Sequence, residues 1–138
     1  MPQSATQVRP TGHPGYAETL PRVAASAAVA RRLTNAALSC WGLGELAEAG
    51  ESVVTELVAN AVQHARRESI RVLVERTAVR TVRVAVADFS RARPVVRAVG
   101  DVDEGGRGLR VVAALAVDWG MVERRWGKVV WADLKGRG

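Results

Sequence analysis

A single cysteine, Cys40, excludes an internal disulfide and any multi-cysteine metal site. It is expected to serve as a small apolar residue on the first helix. Aromatic residues make up 4% of the chain, too few and too little interleaved with basic residues to form a platform for stacked bases. Lysine is scarce too, since only Lys128 and Lys135 among the 20 basic residues are not arginine. The net charge of +6 therefore reads as a scattered, arginine-rich surface, part of which can serve nucleotide phosphates; direct nucleic-acid binding is not expected. No apolar run approaches the roughly 20 residues of a membrane span. Residues 1–18 lack a basic-then-apolar leader pattern, so a cytoplasmic location is expected.

What remains is an ordinary globular composition, 48% hydrophobic and 25% charged over 138 residues, enough for one domain with its own core. Residues 1–15, with Pro2, Pro10, Pro14 and two glycines and no periodicity, read as a disordered tail, and 16–138 as a single domain. Residues 16–20 suit a short edge strand, and Pro21 suits the first turn of a helix. Ala27, Ala30, Leu33, Ala37 and Trp41 recur at three- and four-residue steps, which predicts an amphipathic helix over 23–41. Gly42 and Gly44 punctuate its end, and a second helix follows over about 45–65.

Alternation then replaces helical spacing. Ile70, Val72 and Val74 form one set and Val82, Val84 and Val86 another, joined by a short link, which predicts an antiparallel hairpin. Residues 91–105 lack periodicity and hold Pro94, Gly100, Asp101, Asp103 and Glu104, as an active-site lid would. Gly105-Gly106-Arg107-Gly108 opens a third helix with Leu109, Val112, Ala113 and Ala116 as its stripe, and a second hairpin covers 117–123 and 129–134. The order predicts an α+β fold, a two-layer sandwich of helices on one face of a mostly antiparallel sheet.

Three places can carry chemistry. Glu56 and Asn60 lie one turn apart on one face of the second helix, among Val53, Val54, Leu57, Val58 and Ala61. A polar pair at an otherwise apolar surface is costly to bury unless something binds there, although such a pair can also be a solvated face. Asp88 ends an apolar strand, where it can line a pocket or cap a turn. Gly105, Gly106 and Gly108 precede a helix N-terminus whose free amides favour phosphate, although a glycine-rich turn is weak evidence alone.

Taken together, E-L-V-A-N-A-V-Q-H-A from Glu56, D-F-S-x-x-x-P from Asp88, G-R-G-L from Gly106 and G-K-V-V-W-A-D-L near the C-terminus resemble the GHKL nucleotide-binding fold. Within it the chain looks most like the small anti-sigma-factor serine/threonine kinases, over residues 21–134. The resemblance implies ATP and Mg²⁺ as ligands. It gives Asn60 to the metal, a hard oxygen donor suited to that ion. It makes Glu56 the general base toward an attacking hydroxyl. Asp88 accepts from the adenine amino group, Gly106 and Gly108 bring backbone close to the phosphates, Arg107 adds charge there, and Leu109 belongs to the same cofactor-binding set. It also implies a homodimer whose partners are a sigma factor and an anti-sigma-factor antagonist, with the γ-phosphate passed to a Ser or Thr of the antagonist. Ser90 departs from the glycine of the wider D-x-G pattern. His64 is expected to be structural or at a pocket rim, since the chain has no separate dimerising helical hairpin to present a phosphoacceptor histidine. Two other readings stand beside this one: a nucleotide-binding regulatory module without significant kinase activity, acting by partner binding alone, and a basic nucleic-acid binder.

Overall fold

The computed structural model describes residues 7–8, 12–64, 67–89 and 106–137, with backbone alone at 7–8 and 106–108. The alternating segments form one six-stranded sheet, antiparallel throughout. Its strands are β1 (Gln7–Val8), β2 (Pro14–Pro21), β3 (Ser69–Ala78), β4 (Thr81–Asp88), β5 (Asp118–Arg124) and β6 (Gly127–Lys135). They lie in the order β1-β2-β3-β4-β6-β5. Both expected hairpins are present, and the chain crosses between them so that β6, not β5, pairs with β4. The expected edge strand over 16–20 is corrected on two points. It begins at Pro14 and lies inside the sheet, between β3 and the two-residue β1, which falls in the stretch read as a tail.

Helix α1 (Ser26–Cys40) starts three residues later than its spacing suggests, because residues 23–28 first make i→i+3 turns, with Ser26 N–H bonding Val23 O at 3.0 Å. The Ser26 hydroxyl also donates to Pro21 O at 2.6 Å. At the other end Leu43 N–H reaches Leu38 O at 2.8 Å and Gly42 N–H reaches Ser39 O at 3.1 Å. This is the paired 6→1 and 5→2 closure of a Schellman cap, and Gly42 supplies its left-handed residue at φ 69°. Cys40, expected to behave as an apolar residue, is exposed at the last position of α1.

A short 3-10 turn (Gly44–Leu46) leads into helix α2 (Ala47–His64), which buries Gly50, Val53, Val54, Leu57, Val58 and Ala61. Arg22, just past β2, ties down the far end of α2: its Nη1 donates to Val62 O at 3.2 Å and its Nε to Arg67 O at 2.6 Å. Helix α3 (Gly106–Leu115) packs against α2. Of its expected stripe Leu109 and Val112 are buried and Ala116, just past the helix, is partly buried against the core. Ala113 is instead exposed. The expected lid over 91–105, Ser90, and Ala65 at the end of the second helix lie outside the described residues.

Strand alternation assigns the two sheet faces. Tyr16, Leu20, Ile70, Val72, Val74, Val82, Val84, Val86, Val130, Ala132 and Leu134 share the helix-facing side and form the core with α1, α2 and α3. Burying a side chain of this size contributes roughly 1.5–3 kcal/mol, so this layer dominates the stability of the fold. The opposite face covers itself. Gly120, Trp131, Ala85, Leu73 and Ala17 line up across five strands. Arg83 stacks 3.9 Å above the Trp131 ring and forks onto Asp133 at 2.7 and 3.0 Å.

Candidate functional site

Helix α2 fixes Glu56 and Asn60 at the border of its buried face. Leu57 and Val58 are almost fully buried beside them, whereas Glu56 and Asn60 are half-buried. The carboxamide oxygen of Asn60 is itself buried and has no hydrogen-bond partner among the described residues. Leaving such an acceptor unmade costs roughly 1–3 kcal/mol. The oxygen is a hard donor available to a cation. Among the described residues no group of three His, Cys, Asp or Glu side chains could form a metal cluster. One amide oxygen plus ligand oxygens and waters suits Mg²⁺, which takes few protein ligands. The residues present therefore fit that ion.

Asp88 is the last residue of β4 and is 3% exposed. It keeps the phase of Val82, Val84 and Val86 and so lies on the helix-facing side. Directly opposite it in the register stands Lys128, 7% exposed, in phase with Val130, Ala132 and Leu134. Sequence reasoning passed over Lys128 because the last strand was read as starting at residue 129, whereas β6 starts at Gly127. One residue beyond Asp88, the Phe89 ring meets Trp126 at 5.5 Å, which ties the β5–β6 turn to the end of β4.

The third element is the start of α3. The first four amides of a helix have no partner within it, here those of Gly106, Arg107, Gly108 and Leu109. The side chain of Leu109 is buried in the core; it anchors α3, and the backbone is what this position can offer a ligand. The Arg107 side chain lies outside the described residues. Helix α2 packs over β4 and β6 and against α3, so all three candidates share the helix side of the sheet. His64 ends α2, half-buried.

Among the described residues two ionisation shifts are resolved, both elsewhere. Glu45 is held below the usual carboxylate value, first by its own backbone N–H and then by Arg80, whose Nη2 is 2.6 Å from it. The Arg83 guanidinium is pushed up by its hydrogen bonds to Asp133. No helix of the described residues is long and apolar enough to cross a membrane.

Residues 20–133 match the model of the histidine kinase-like ATPase domain family. Among solved structures the chain is similar to the histidine kinase domain from Erythrobacter litoralis EL346 blue-light activated histidine kinase. The two are 23% identical with a TM-score of 0.50, over 84% of this chain and 61% of that one. The likeness is one of fold, and the chain spans less than two thirds of that neighbour. No curated protein matches the chain.

Proposed function

Since the chain belongs to the histidine kinase-like ATPase domain family, we propose that it is an ATP-binding regulatory protein of the anti-sigma-factor kinase type. In this reading it transfers the γ-phosphate to a serine or threonine of an antagonist protein, and it controls transcription by sequestering a sigma factor as a homodimer. The observation that carries the nucleotide site is the buried, unpartnered Asn60 oxygen one turn from Glu56. The quoted motifs support the narrower family reading.

Asn60 would hold Mg²⁺, which would supply positive charge to offset that of the phosphates. Glu56 would accept the proton of the attacking hydroxyl as its oxygen bonds to the γ-phosphorus, while the bond to the leaving ADP oxygen breaks. Asp88 would accept from the adenine amino group, and the amides of Gly106 to Leu109 would face the phosphates. Arg107 would add positive charge beside them.

Calorimetry with Mg-ATP on the wild type, Asn60→Ala and Glu56→Ala, joined to a phosphotransfer assay with the cognate antagonist, tests this. Asn60→Ala should bind Mg-ATP at least about tenfold more weakly, a loss of about 1.4 kcal/mol. Glu56→Ala should bind normally and transfer about 10²–10⁴-fold more slowly, the usual worth of a general base. A wild type that binds no ATP refutes the nucleotide reading. A wild type that binds ATP but never transfers phosphate leaves a binding-only regulatory module.

A further inference from the structure

Four polar or charged residues are buried among the described residues: Ser26, Thr34, Asp88 and Lys128. The first two are accounted for, with Ser26 bonded to Pro21 O and Thr34 to Ala30 O. The other two face each other across β4 and β6. Residues directly opposite in an antiparallel pair have Cβ atoms about 4.5–5.5 Å apart, and both side chains rise from the same, helix-facing side. A lysine buried to 7% exposure is rare unless an anion lies within reach. The row reads Ile70, Asp88, Lys128, Glu123 from β3 to β5, so Lys128 has an acid on each side. Asp88 is buried and Glu123 is exposed, which makes Asp88 the partner that shares its environment. The Phe89–Trp126 contact at 5.5 Å ties down the turn just before Lys128.

We propose that Lys128 is a base-recognising, specificity-determining residue of the nucleotide site, acting beside Asp88; this rests on the reading of Asp88 as the adenine contact. Asp88 accepts and Lys128 donates, side by side. The Watson–Crick edge of adenine presents the complementary order, the N6 amino donor next to the N1 acceptor. Guanine presents the reverse, an O6 acceptor next to an N1–H donor. With Asp88 facing the 6-position, a guanine would set its O6 against the carboxylate and its N1–H against the ammonium. A site built on such contacts rejects the wrong partner strongly, because its own polar groups would be left unpaired. Lys128 also offsets the charge of a carboxylate buried next to a polyanionic ligand.

The test is calorimetry with Mg²⁺ complexes of ATP, GTP and 1-deaza-ATP, whose N1 is replaced by C–H, on the wild type, Lys128→Met, Lys128→Arg and Glu123→Gln. The wild type should bind ATP about tenfold more tightly than 1-deaza-ATP, the factor carried by roughly 1.4 kcal/mol, and should disfavour GTP. Lys128→Met should lose that tenfold preference because the contact is already gone, and its ATP-to-GTP ratio should shrink. Lys128→Arg should retain part of both preferences, and Glu123→Gln all of both. Equal wild-type affinity for ATP and 1-deaza-ATP overturns the proposal even if Lys128→Met cannot be folded. So do losses that simply add in Lys128→Met, which would make Lys128 only a neutralising neighbour of Asp88. A wild type that binds none of the three refutes the nucleotide reading itself, a different failure.

Discussion

Gly50 sets how closely α1 and α2 approach, and replacing it by alanine brings two opposed effects of known size into conflict. A Cβ at this position would stand 3.0 Å from Leu38 Cδ1 and 3.1 Å from Thr34 Cγ2, with Leu134 Cδ1 at 3.8 Å. In favour of alanine, glycine within a helix is worse by about 1 kcal/mol. Against it, overpacking a tight core costs typically about 1–3 kcal/mol. The outcome depends on which neighbour can move. Leu38 Cδ1 is the far end of a flexible side chain. The Thr34 methyl is not: Thr34 is fully buried and its hydroxyl donates to Ala30 O at 2.9 Å, so a rotation would break that bond. The clash should therefore win, leaving Gly50→Ala less stable by about 1 kcal/mol net. In a Thr34→Ala background the obstructing methyl is gone, and Gly50→Ala should become neutral or stabilising, a coupling of about 1 kcal/mol or more. Urea unfolding of the four proteins, followed by far-UV circular dichroism, measures the cycle. Because α2 carries Glu56 and Asn60, Mg-ATP affinity should fall in the single Gly50→Ala variant and recover in the double. The reasoning is refuted if Gly50→Ala alone gains about 1 kcal/mol, or if it has the same effect in both backgrounds.

Gly120→Ala should unfold at lower urea, by about 1–3 kcal/mol, because the new Cβ would stand 3.0–3.2 Å from three atoms of the Trp131 ring; an unchanged midpoint would show that the ring is free to lift. The depressed carboxyl of Glu45 favours the folded state while it is charged. That contribution is present above its ordinary value and is lost as pH falls through the lowered folded value. Thermal melts should therefore show the wild type converging on Glu45→Gln as pH falls through and below the ordinary carboxylate range, by a small amount since the pair is exposed; parallel curves at all pH values would refute the assignment.

Much of this architecture is legible in the sequence because it is locally encoded. Helical spacing located α1 and α2, two-residue alternation located both hairpins, and Gly42 marked a real cap. The strand misreading comes from pairing between distant segments. Nothing local to residues 14–21 indicates that β3 will pair along them on one side while Gln7–Val8 lies on the other. Ala113 was counted into a stripe because alanine is compatible with either face of a helix. Lys128 was passed over because its strand was read as beginning at residue 129, two residues later than it does. Its meaning comes from a register that joins β4 to β6, 40 residues apart at Asp88↔Lys128, after the chain has crossed over β5. Motif order pointed to Asn60, but no sequence feature could indicate that its oxygen is buried and unpartnered.

That oxygen also gives the site a thermodynamic signature independent of any ligand. Val53, Val54, Leu57 and Val58 are all within 1% of complete burial, and each contributes roughly 1.5–3 kcal/mol. Together they exceed the roughly 1–3 kcal/mol penalty of one unmade acceptor, so the fold tolerates the orphan without needing it. Asn60→Ala removes the penalty and substitutes the better helix former. Without nucleotide, Asn60→Ala should therefore melt no lower than the wild type, and at a given Mg-ATP concentration its melting temperature should rise less than that of the wild type. If Asn60→Ala instead unfolds well below the wild type in the absence of nucleotide, the carboxamide is holding the structure together. The case for a ligand at that oxygen would then collapse, because the residue would be accounted for by the fold alone.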